Sequence, residues 1–271
     1  MATTSTSPAI TFVIDALRHV PLIRVLALNH LREKFIGTWA GIVWAFIHPI
    51  VLIAIFWVVF AQGFKLPTSG ERPFLLVLIC GLLPWMAFNE AVMGAAGSVT
   101  SKAYLVRKIA FPLEVLPLTN VVSSLIVHVP MLLLGMIIAA WHGRFPGPHL
   151  AWLPVYMLAL ALLATGLGML LSALSVVFRD VQQGLGIVMN IWFWATPIVW
   201  AEDMLPAEYR WLSQWNPITY LIDGYRYALL GPGVPEPTTF AAVLYWSVTG
   251  VVMAAGILLF KRLKPNFADL L

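Results

Sequence analysis

The chain has 271 residues, of which 61% are hydrophobic and only 10% are charged, and its formal net charge is +4. Soluble domains carry about 25% charged residues, so the composition excludes an ordinary soluble domain and indicates an integral membrane protein. The modest net charge gives no sign of a nucleic-acid-binding surface. The six histidines and the single Cys80 lack the spacing of a metal site.

The segment before the first apolar stretch predicts a helix that lies in the membrane interface. In "ITFVIDALRHVPLIRVLALNHLREKF" (10–35), apolar residues recur at helical spacing and charged residues occupy other parts of the wheel. Pro21 predicts the start of a second helical piece, because its fixed φ and missing N–H suit a first turn. We expect residues 1–34 to form a cytoplasmic tail and an amphipathic interfacial helix, followed by a transmembrane domain over 35–271. The recurring apolar residues are Ile10, Ile14, Leu17, Leu28, Leu31 and Phe35.

Six stretches carry no formal charge and approach or exceed the ~20 residues that a helix needs to cross ~30 Å of hydrocarbon. None alternates with a period of two, so we predict an all-α integral membrane protein with six transmembrane helices rather than a barrel. The fifth stretch is the least certain to span. The stretches are roughly 39–61, 73–89, 115–141, 151–178, 181–201 and 237–260.

The distribution of basic residues predicts the orientation. With the N-terminus in the cytoplasm, eleven of the sixteen lysines and arginines lie inside and five lie outside. The positive-inside rule therefore places both termini in the cytoplasm.

The first span carries an aromatic stripe. At 100° per residue its members lie within an arc of about 60°. Gly37, Gly41 and Ala45 form a row of small residues on the opposite side, where another helix could approach closely. Two interpretations stay open: the rings face lipid or fill helix contacts, or they line a pathway on which the C–H faces of sugars stack. The stripe consists of Phe35, Trp39, Phe46, Trp57 and Phe60.

Several kinds of catalytic and energy-coupling motif are absent. The sequence has no phosphate loop, no nucleophile elbow, no His-Glu-x-x-His and no pair of carboxylates within a span. Glu90 lies close to the end of the second span, and it is either a functional carboxylate or an interfacial one. If the protein moves a substrate uphill, we expect a separate chain to supply the energy.

Residues 202–231 are too charged to cross a bilayer and too aromatic for an ordinary solvated loop. Pro206 and Pro217 each suit a first helical turn, and Asn216 is a good N-cap directly before Pro217. The segment therefore predicts two short helices. Its aromatic residues, which suit a membrane interface, are Trp211, Trp215, Tyr220, Tyr225 and Tyr227.

Five stretches, in order along the chain, resemble the permeases of polysaccharide-export ABC transporters, in the branch that exports O-antigen and teichoic acid. "REKFIGTWAGIVWAFIHPI" (32–50) resembles the start of their first helix. "GLLPWMAFNEAVMGAAGSV" (81–99) with "LVRKIAFPLEVLPL" (105–118) is similar to their second helix and the following cytoplasmic loop. "SVVFRDVQQ" (175–183) and "LPAEYRWLSQWNPITYLIDGYRYALLG" (205–231) are similar to the next cytoplasmic turn and the segment before the last helix.

The resemblance implies a homodimer in the bacterial inner membrane that binds two copies of an ATPase subunit. The permease would need no cofactor, because ATP and magnesium bind to the ATPase, and its substrate would be a polyprenyl-linked polysaccharide. Residues 202–231 would form a reentrant pair of gate helices on the outer side, and residues 97–112 a loop that couples to the ATPase.

The aromatic stripe and the resemblance together give the candidate site residues. The substrate channel would include Trp39, Phe46, Trp57 and Phe60. The gate would include Pro206, Tyr209, Trp211, Trp215, Asn216, Pro217, Tyr220 and Tyr225. The ATPase contact would include Lys102, Tyr104, Leu105, Val106, Arg107, Lys108, Arg179 and Asp180.

Other interpretations stay open at this point. The chain could be a membrane enzyme that acts on polyprenyl-linked sugars, or an ABC permease for capsule, teichoic acid, lipid or drug. Residues 202–231 could be a structural cap on the bundle. Arg179 and Asp180 could form a local ion pair instead of contacting the ATPase, and Lys102, Arg107 and Lys108 could bind lipid phosphates.

Overall fold

The computed structural model describes residues 8–36, 39, 41–64, 73–106 and 111–271, and over these residues it is helical with no strand. The all-α prediction is therefore confirmed for the described part of the chain. Short 3₁₀ or π turns extend several of the helices. The α-helices are α1 (Pro8–Arg18), α2 (Val20–Phe35), α3 (Trp44–Trp57), α4 (Phe74–Ala96), α5 (Ala103–Val106), α6 (Val115–Trp141), α7 (Leu153–Val177), α8 (Asp180–Trp194), α9 (Trp211–Gln214), α10 (Pro217–Leu230), α11 (Thr239–Leu263) and α12 (Phe267–Leu270).

Within the described residues, five helical segments are long and apolar enough to cross a membrane. They correspond to the first, second, third, fourth and sixth predicted spans. The fifth predicted span, 181–201, is helical only from Asp180 to Trp194. Pro197 explains the early end, because its ring would clash with the carbonyl of Phe193 in a continued helix. The five segments are Trp44–Gly63, Phe74–Ala96, Val115–Trp141, Gly147–Val177 and Thr239–Leu270.

The first span also begins later than its sequence predicts. A 3₁₀ turn, Gly41–Val43, precedes α3, and Gly41 has a φ of 53°, which lies in the left-handed region that favours glycine. Trp39 therefore lies before the helix and not on it. The expected continuous stripe from Trp39 to Phe60 is wrong for this reason, although Phe46, Trp57 and Phe60 do lie on the segment Trp44–Gly63.

The N-terminal region forms two helices, and Pro21 lies in the first turn of the second, as predicted. The side of α2 that packs into the protein carries Ile23, Ala27 and Leu31, spaced four residues apart. Ser123 Oγ of α6 donates a hydrogen bond to the carbonyl oxygen of Ala27 (3.2 Å). Of the predicted apolar positions, Leu31 is buried, whereas Ile14, Leu17 and Leu28 are exposed.

Helix α4 runs through the middle of the bundle, and α3 lies at its edge. In the most apolar window of α4, 72% of the residues are buried, against 6% for Trp44–Gly63. Helices α6, α7 and α10 pack around α4. Lys34, Lys102 and Lys264 lie towards the Ala96 end of α4, which we call the basic end; Phe74 marks the opposite end.

Two glycines set close approaches between helices. A Cβ on Gly256 of α11 would lie 2.4 Å from the carbonyl oxygen of Gly166 in α7, so the two backbones touch. A Cβ on Gly224 of α10 would lie 2.2 Å from the ring of Tyr156 in α7. Helix α10 is therefore packed into the bundle, and its position depends on the absence of a side chain at Gly224.

A second apolar core closes the basic end. It joins Phe12 of α1, Leu113 before α6, Phe260 of α11 and Phe267 of α12, while Leu105 of α5 packs against it. The Phe260 and Phe267 rings are 5.3 Å apart in an edge-to-face arrangement. Lys264 Nζ forms an ion pair with Glu114 Oε1 (2.7 Å), which ties the C-terminal segment to the start of α6. The first and last helices thus support the short helix α5.

We expect Gly224→Ala to destabilise the protein by about 1–3 kcal/mol, the usual cost of overpacking a core, because the added methyl group overlaps the Tyr156 ring. Gly250→Ala in α11 is the matched control: no atom lies within 4 Å of its Cβ position, and alanine favours a helix more than glycine does. Thermal unfolding in lipid nanodiscs should show a lower midpoint for the first variant only. Equal midpoints would contradict the tight contact between α10 and α7.

Candidate functional site

A cavity of about 740 Å³ lies between α3, α4, α6 and α8, and we call it the aromatic cavity. Phe56 of α3, Trp85 of α4 and Phe193 of α8 line it. The ring centroid of Phe193 lies 5.7 Å from that of Phe56 and 5.6 Å from that of Trp85, so the three rings form one continuous wall.

Polar groups are few and dispersed along the aromatic cavity. The uncharged ones belong to His48, Asn89, Ser124, His128 and Asn190, and the charged Lys34 and Glu90 lie where this cavity meets its neighbour at the basic end. Ser124 Oγ donates a hydrogen bond to the carbonyl oxygen of Ala87 (2.7 Å), which fixes its direction. A wall of rings and aliphatic groups with scattered amides and hydroxyls suits a neutral ligand that carries both apolar faces and hydroxyl groups.

A second cavity of about 850 Å³ lies at the basic end, and we call it the basic-end cavity. Lys34, Glu90, Met93 and Ser124 line both cavities, so the two adjoin. Lys34 Nζ and Glu90 Oε1 form an ion pair at this boundary. Glu90, which the sequence left as either functional or interfacial, therefore lies opposite a lysine between the two spaces.

The ion pair between Lys34 and Glu90 contributes little free energy, so little is lost when it breaks. The Lys34 and Glu90 side chains are 47% and 41% exposed, and exposed pairs contribute only about 0–1 kcal/mol. Burial, followed by the nearby charges of Lys102 and Lys34, lowers the pKa of His30, which also lines the basic-end cavity. At neutral pH the imidazole is therefore uncharged, and the two lysines carry the positive charge of this cavity.

The structure does not bring the four predicted channel residues onto one surface. Phe46 and Phe60 are partly buried and pack against the main core. Trp57 lines a separate groove of about 220 Å³ between α3, α4 and α6. Trp39, before the helix, is fully exposed. The aromatic wall of the aromatic cavity instead uses Phe56, which lies on α3 like Phe46 and Trp57.

The predicted gate residues divide into an exposed group and a buried group. Tyr209, Trp211 and Trp215 are 51%, 56% and 61% exposed. Pro206 directly precedes the 3₁₀ turn Ala207–Tyr209, so the expected first short helix is present as this turn followed by α9. Pro217 begins α10, as predicted.

Tyr220 and Tyr225 are buried, so the expectation that they lie at a membrane interface is wrong. A hydrogen bond of 3.1 Å joins Tyr225 Oη to His128 Nε2 of α6. The Tyr220 ring packs 5.6 Å from Tyr156 and 4.9 Å from Tyr245. Sequence alone could not place these phenols in the core, because their partners come from three other helices.

Asn216 connects α8, the turn that follows it and α10. Its Oδ1 accepts a hydrogen bond from the backbone N–H of Ile218 (3.1 Å), which confirms the predicted N-cap, and a second from Trp192 Nε1 (2.9 Å). Its Nδ2 donates to Thr196 Oγ1 (2.8 Å) and to the carbonyl oxygen of Ala195 (3.4 Å). One buried amide thus holds three segments together.

Arg226 bonds the carbonyl groups of the next residues in the turn that follows α8. Its Nη2 donates to the carbonyl oxygens of Pro197 (2.7 Å) and Ile198 (3.2 Å). Its Nη1 lies 3.4 Å from Asp223 Oδ1, one helical turn earlier. The charges of α10 therefore serve the backbone beyond α8, which accounts for charged residues in a helix that belongs to the core.

The predicted coupling loop contains a short helix, α5, preceded by the 3₁₀ turn Thr100–Lys102. Tyr104 is 61% exposed, whereas Leu105 and Val106 are partly buried and pack against the second core. Gln182 Nε2 of α8 donates a hydrogen bond to Thr100 Oγ1 (2.8 Å), so this segment is linked to α8. Tyr104 is the most exposed side chain of α5.

The remaining predicted coupling residues are placed as follows. Lys102 is partly buried and lines the basic-end cavity. Arg179 and Asp180 are both exposed, and no ion pair joins their side chains, so the alternative of a local pair is not what the structure shows. Arg107 and Lys108 lie outside the described residues.

Sequence reasoning missed Phe56, Trp85 and Phe193, the rings of the aromatic cavity, and the role of Arg226. Each of the three rings lies in an apolar stretch, and no neighbouring residue distinguishes it from other aromatic residues of membrane helices. Arg226 had a usable signal, since an arginine on a helix that follows a proline break can bond the carbonyl groups freed by the break.

We expect Asn216→Ala to cost about 2–4 kcal/mol, because it removes the cap of α10 and leaves Trp192 Nε1 without its acceptor. Thr238→Ala is the matched control: Thr238 Oγ1 caps α11 by accepting from the N–H of Ala241 (3.2 Å), so only a cap of about 1 kcal/mol is lost. Chemical unfolding in detergent micelles measures both. A loss for Asn216→Ala no greater than for Thr238→Ala would show that the links to α8 contribute nothing.

Comparison with known proteins gives a consistent result over almost the whole chain. A family model described as ABC-2 type transporter matches residues 22–230. An O-antigen export system permease protein (RfbA) of Klebsiella pneumoniae is 26% identical over 258 residues, which cover 92% of this chain and 95% of that protein. A protein of the same name from Myxococcus xanthus is 27% identical over 266 residues, which cover 96% and 99%. A polysialic acid transport protein (KpsM) of Escherichia coli is 20% identical over 244 residues, which cover 88% and 92%.

Proposed function

We propose a function that starts from the family: the chain belongs to the ABC-2 type transporter family. It is the transmembrane subunit of a transporter that exports a lipid-linked polysaccharide across the cytoplasmic membrane. The observation that carries the proposal is the match, over 92–96% of the chain, to proteins named as O-antigen export permeases. Such a subunit is not itself an enzyme, and a separate ATPase that binds ATP and magnesium would supply the energy.

The aromatic cavity supports a sugar polymer as the substrate. Its wall of Phe56, Trp85 and Phe193 offers ring faces on which the C–H faces of sugars can stack. Few fixed hydrogen-bonding groups lie beside the rings. Each sugar unit is therefore held weakly, and the glycan can slide along the wall. The basic-end cavity gives a polar route to this space once Lys34 and Glu90 separate.

The outer surface of α3 supports assembly as a homodimer. Trp44, Val51 and Ile55 are 48%, 48% and 53% exposed and lie on one side of the helix, and Ile187 and Ile191 of α8 are also exposed. Large apolar side chains on neighbouring helices can face lipid or a second copy. We propose that the second copy covers this side of α3. The predicted channel residues Phe46, Trp57 and Phe60 lie on the opposite side of the helix, towards the bundle. Of the four predicted channel positions, only the exposed Trp39 is proposed to adjoin a pathway between the two copies.

We propose six membrane crossings, the fifth being α8 together with residues 195–201. This route needs the irregular turn to be satisfied inside the protein, which the bonds from Asn216 and Arg226 provide. Lysine and arginine are concentrated at one end, and this supports cytoplasmic N- and C-termini. The exposed Ile14, Leu17 and Leu28 of α1 and α2 would then lie in the lipid interface.

Residues 202–231 would act as the gate on the outer side. The exposed Tyr209, Trp211 and Trp215 are free to meet lipid headgroups or the leaving glycan, while Asn216 and Pro217 anchor α10. Buried Tyr220 and Tyr225 would set the position of the gate helix and not touch the glycan.

At the opposite end, α5 would dock into the ATPase, one copy for each permease. Tyr104 would be the main apolar contact, with Leu105 and Val106 fixing α5 on the second core. Lys102, Arg107, Lys108, Arg179 and Asp180 would make charged contacts around it.

The test is export in cells and assembly in vitro. Deleting the gene should leave the lipid-linked glycan inside the cytoplasm, and the wild-type gene should restore surface glycan. Purification with the ATPase should give a 2:2 complex.

Tyr104→Asp should abolish export and ATPase co-purification while the permease stays folded, because an exposed position tolerates the change within about 0.5 kcal/mol.

Tyr104→Phe is the control and should retain both activities, since it keeps the ring. Normal surface glycan in the deletion strain would contradict the export function. Normal co-purification of Tyr104→Asp with the ATPase would contradict only the docking site.

A further inference from the structure

A third cavity, of about 480 Å³, lies at the Phe74 end of the bundle, opposite the basic end. The turn 198–204, one side of α10, the loop 234–238 and the start of α11 enclose it, and we call it the far-end pocket. No residue lines both this pocket and the aromatic cavity. Its volume is in the range of small-ligand pockets, about 300–1,000 Å³.

The polar side of the far-end pocket is held in place by the fold. Glu202 Oε1 accepts a hydrogen bond from Ser213 Oγ (2.8 Å). Asp223 lies beside Arg226, whose Nη2 is fixed by the carbonyl groups of Pro197 and Ile198. Thr219 also lines the pocket; it is 6% exposed, and its hydroxyl has no hydrogen-bond partner. Carboxylates that accept and a guanidinium that donates are thus positioned before any ligand arrives.

An aromatic edge faces this polar side. Phe240 lines the pocket and is 51% exposed, and its ring packs edge-to-face with Trp215 at 5.4 Å. A half-exposed ring at the pocket wall can stack on the apolar C–H surface of a ligand.

The charges of the far-end pocket narrow the class of ligand. Glu202, Asp223 and Glu236 outnumber Arg226, which disfavours an anion. Among the described residues, no group of three acidic, histidine or cysteine side chains could hold a metal ion. Charged groups also make the pocket a poor site for an acyl chain. A neutral molecule with several hydroxyl groups and an apolar face satisfies all of these constraints.

We propose that the far-end pocket binds a neutral sugar unit of the glycan, with Glu202 and Asp223 accepting from its hydroxyl groups and Phe240 stacking on its ring. The inference rests on the proposed export function, and it adds a binding site separate from the aromatic cavity. Such a site would hold the glycan on the far side of the gate and oppose its return.

The test is saturation-transfer difference NMR on the full-length protein in lipid nanodiscs, because maltoside detergents carry a competing sugar. The probes are methyl α-D-mannoside, methyl β-D-galactoside and methyl α-L-rhamnoside, each titrated alone. We expect at least one to bind, and Phe240→Ala and Glu202→Gln each to weaken its binding about fivefold or more, which corresponds to one lost contact of ordinary strength. Glu202→Gln keeps an acceptor oxygen for Ser213, and Phe240→Leu replaces Phe240→Ala if the latter fails to fold.

Trp141→Ala and Asp203→Asn are the controls: an exposed ring at the end of α6 and an exposed carboxylate next to Glu202, neither of which lines the pocket. Both should bind the glycoside like the wild type. Absence of binding by all three probes, or equal binding by every variant, would overturn the proposed pocket. Surface glycan, measured in the same strains, separates this outcome from failure of the export function.

Discussion

Two side chains, one at the N-cap of α10 and one within that helix, bond the backbone that is left without helical partners where α8 ends. Asn216 bonds the carbonyl group of Ala195 and the hydroxyl group of Thr196, and Arg226 bonds the carbonyl groups of Pro197 and Ile198. A polar group buried without a hydrogen-bond partner costs several kcal/mol, and residues 196–199 are buried, so the broken helix requires such partners. The charges in residues 202–231 follow from this need, and they allow α10 to be part of the core although its sequence is too polar to span.

The same constraint organises the functional features. With α10 fixed against α7 at Gly224, the exposed rings of Tyr209, Trp211 and Trp215 lie at one end of the bundle, while Tyr104 of α5 lies at the other. Between them the aromatic cavity adjoins the basic-end cavity at the weak pair of Lys34 and Glu90. The hydrogen bond from Gln182 to Thr100 links the α5 segment to α8, so a movement of α5 would reach the helix that carries Phe193.

Sequence rules for helix capping predicted the features that depend only on residues adjacent in the chain. Pro21 and the pair Asn216–Pro217 mark helix starts correctly, because capping depends on two or three adjacent residues. The early end of α8 was predictable in principle from Pro197. The aromatic cavity was not, since its rings come from three helices whose mutual rotation no single segment encodes, and Trp39 left the predicted stripe because of the backbone at Gly41.

Hydrogen–deuterium exchange of residues 195–230 in lipid nanodiscs tests the central claim, that α10 is a fixed, buried part of the membrane domain held by the turn after α8. We expect the amides of 218–230 to exchange as slowly as those of α4, and those of 203–210 to exchange quickly, because α10 is largely buried and 203–210 is largely exposed. Arg226→Met should raise the exchange rate of the amides of residues 198–200 in particular. Exchange in 218–230 as fast as in 203–210 would contradict the account, because the segment would then be a solvated loop.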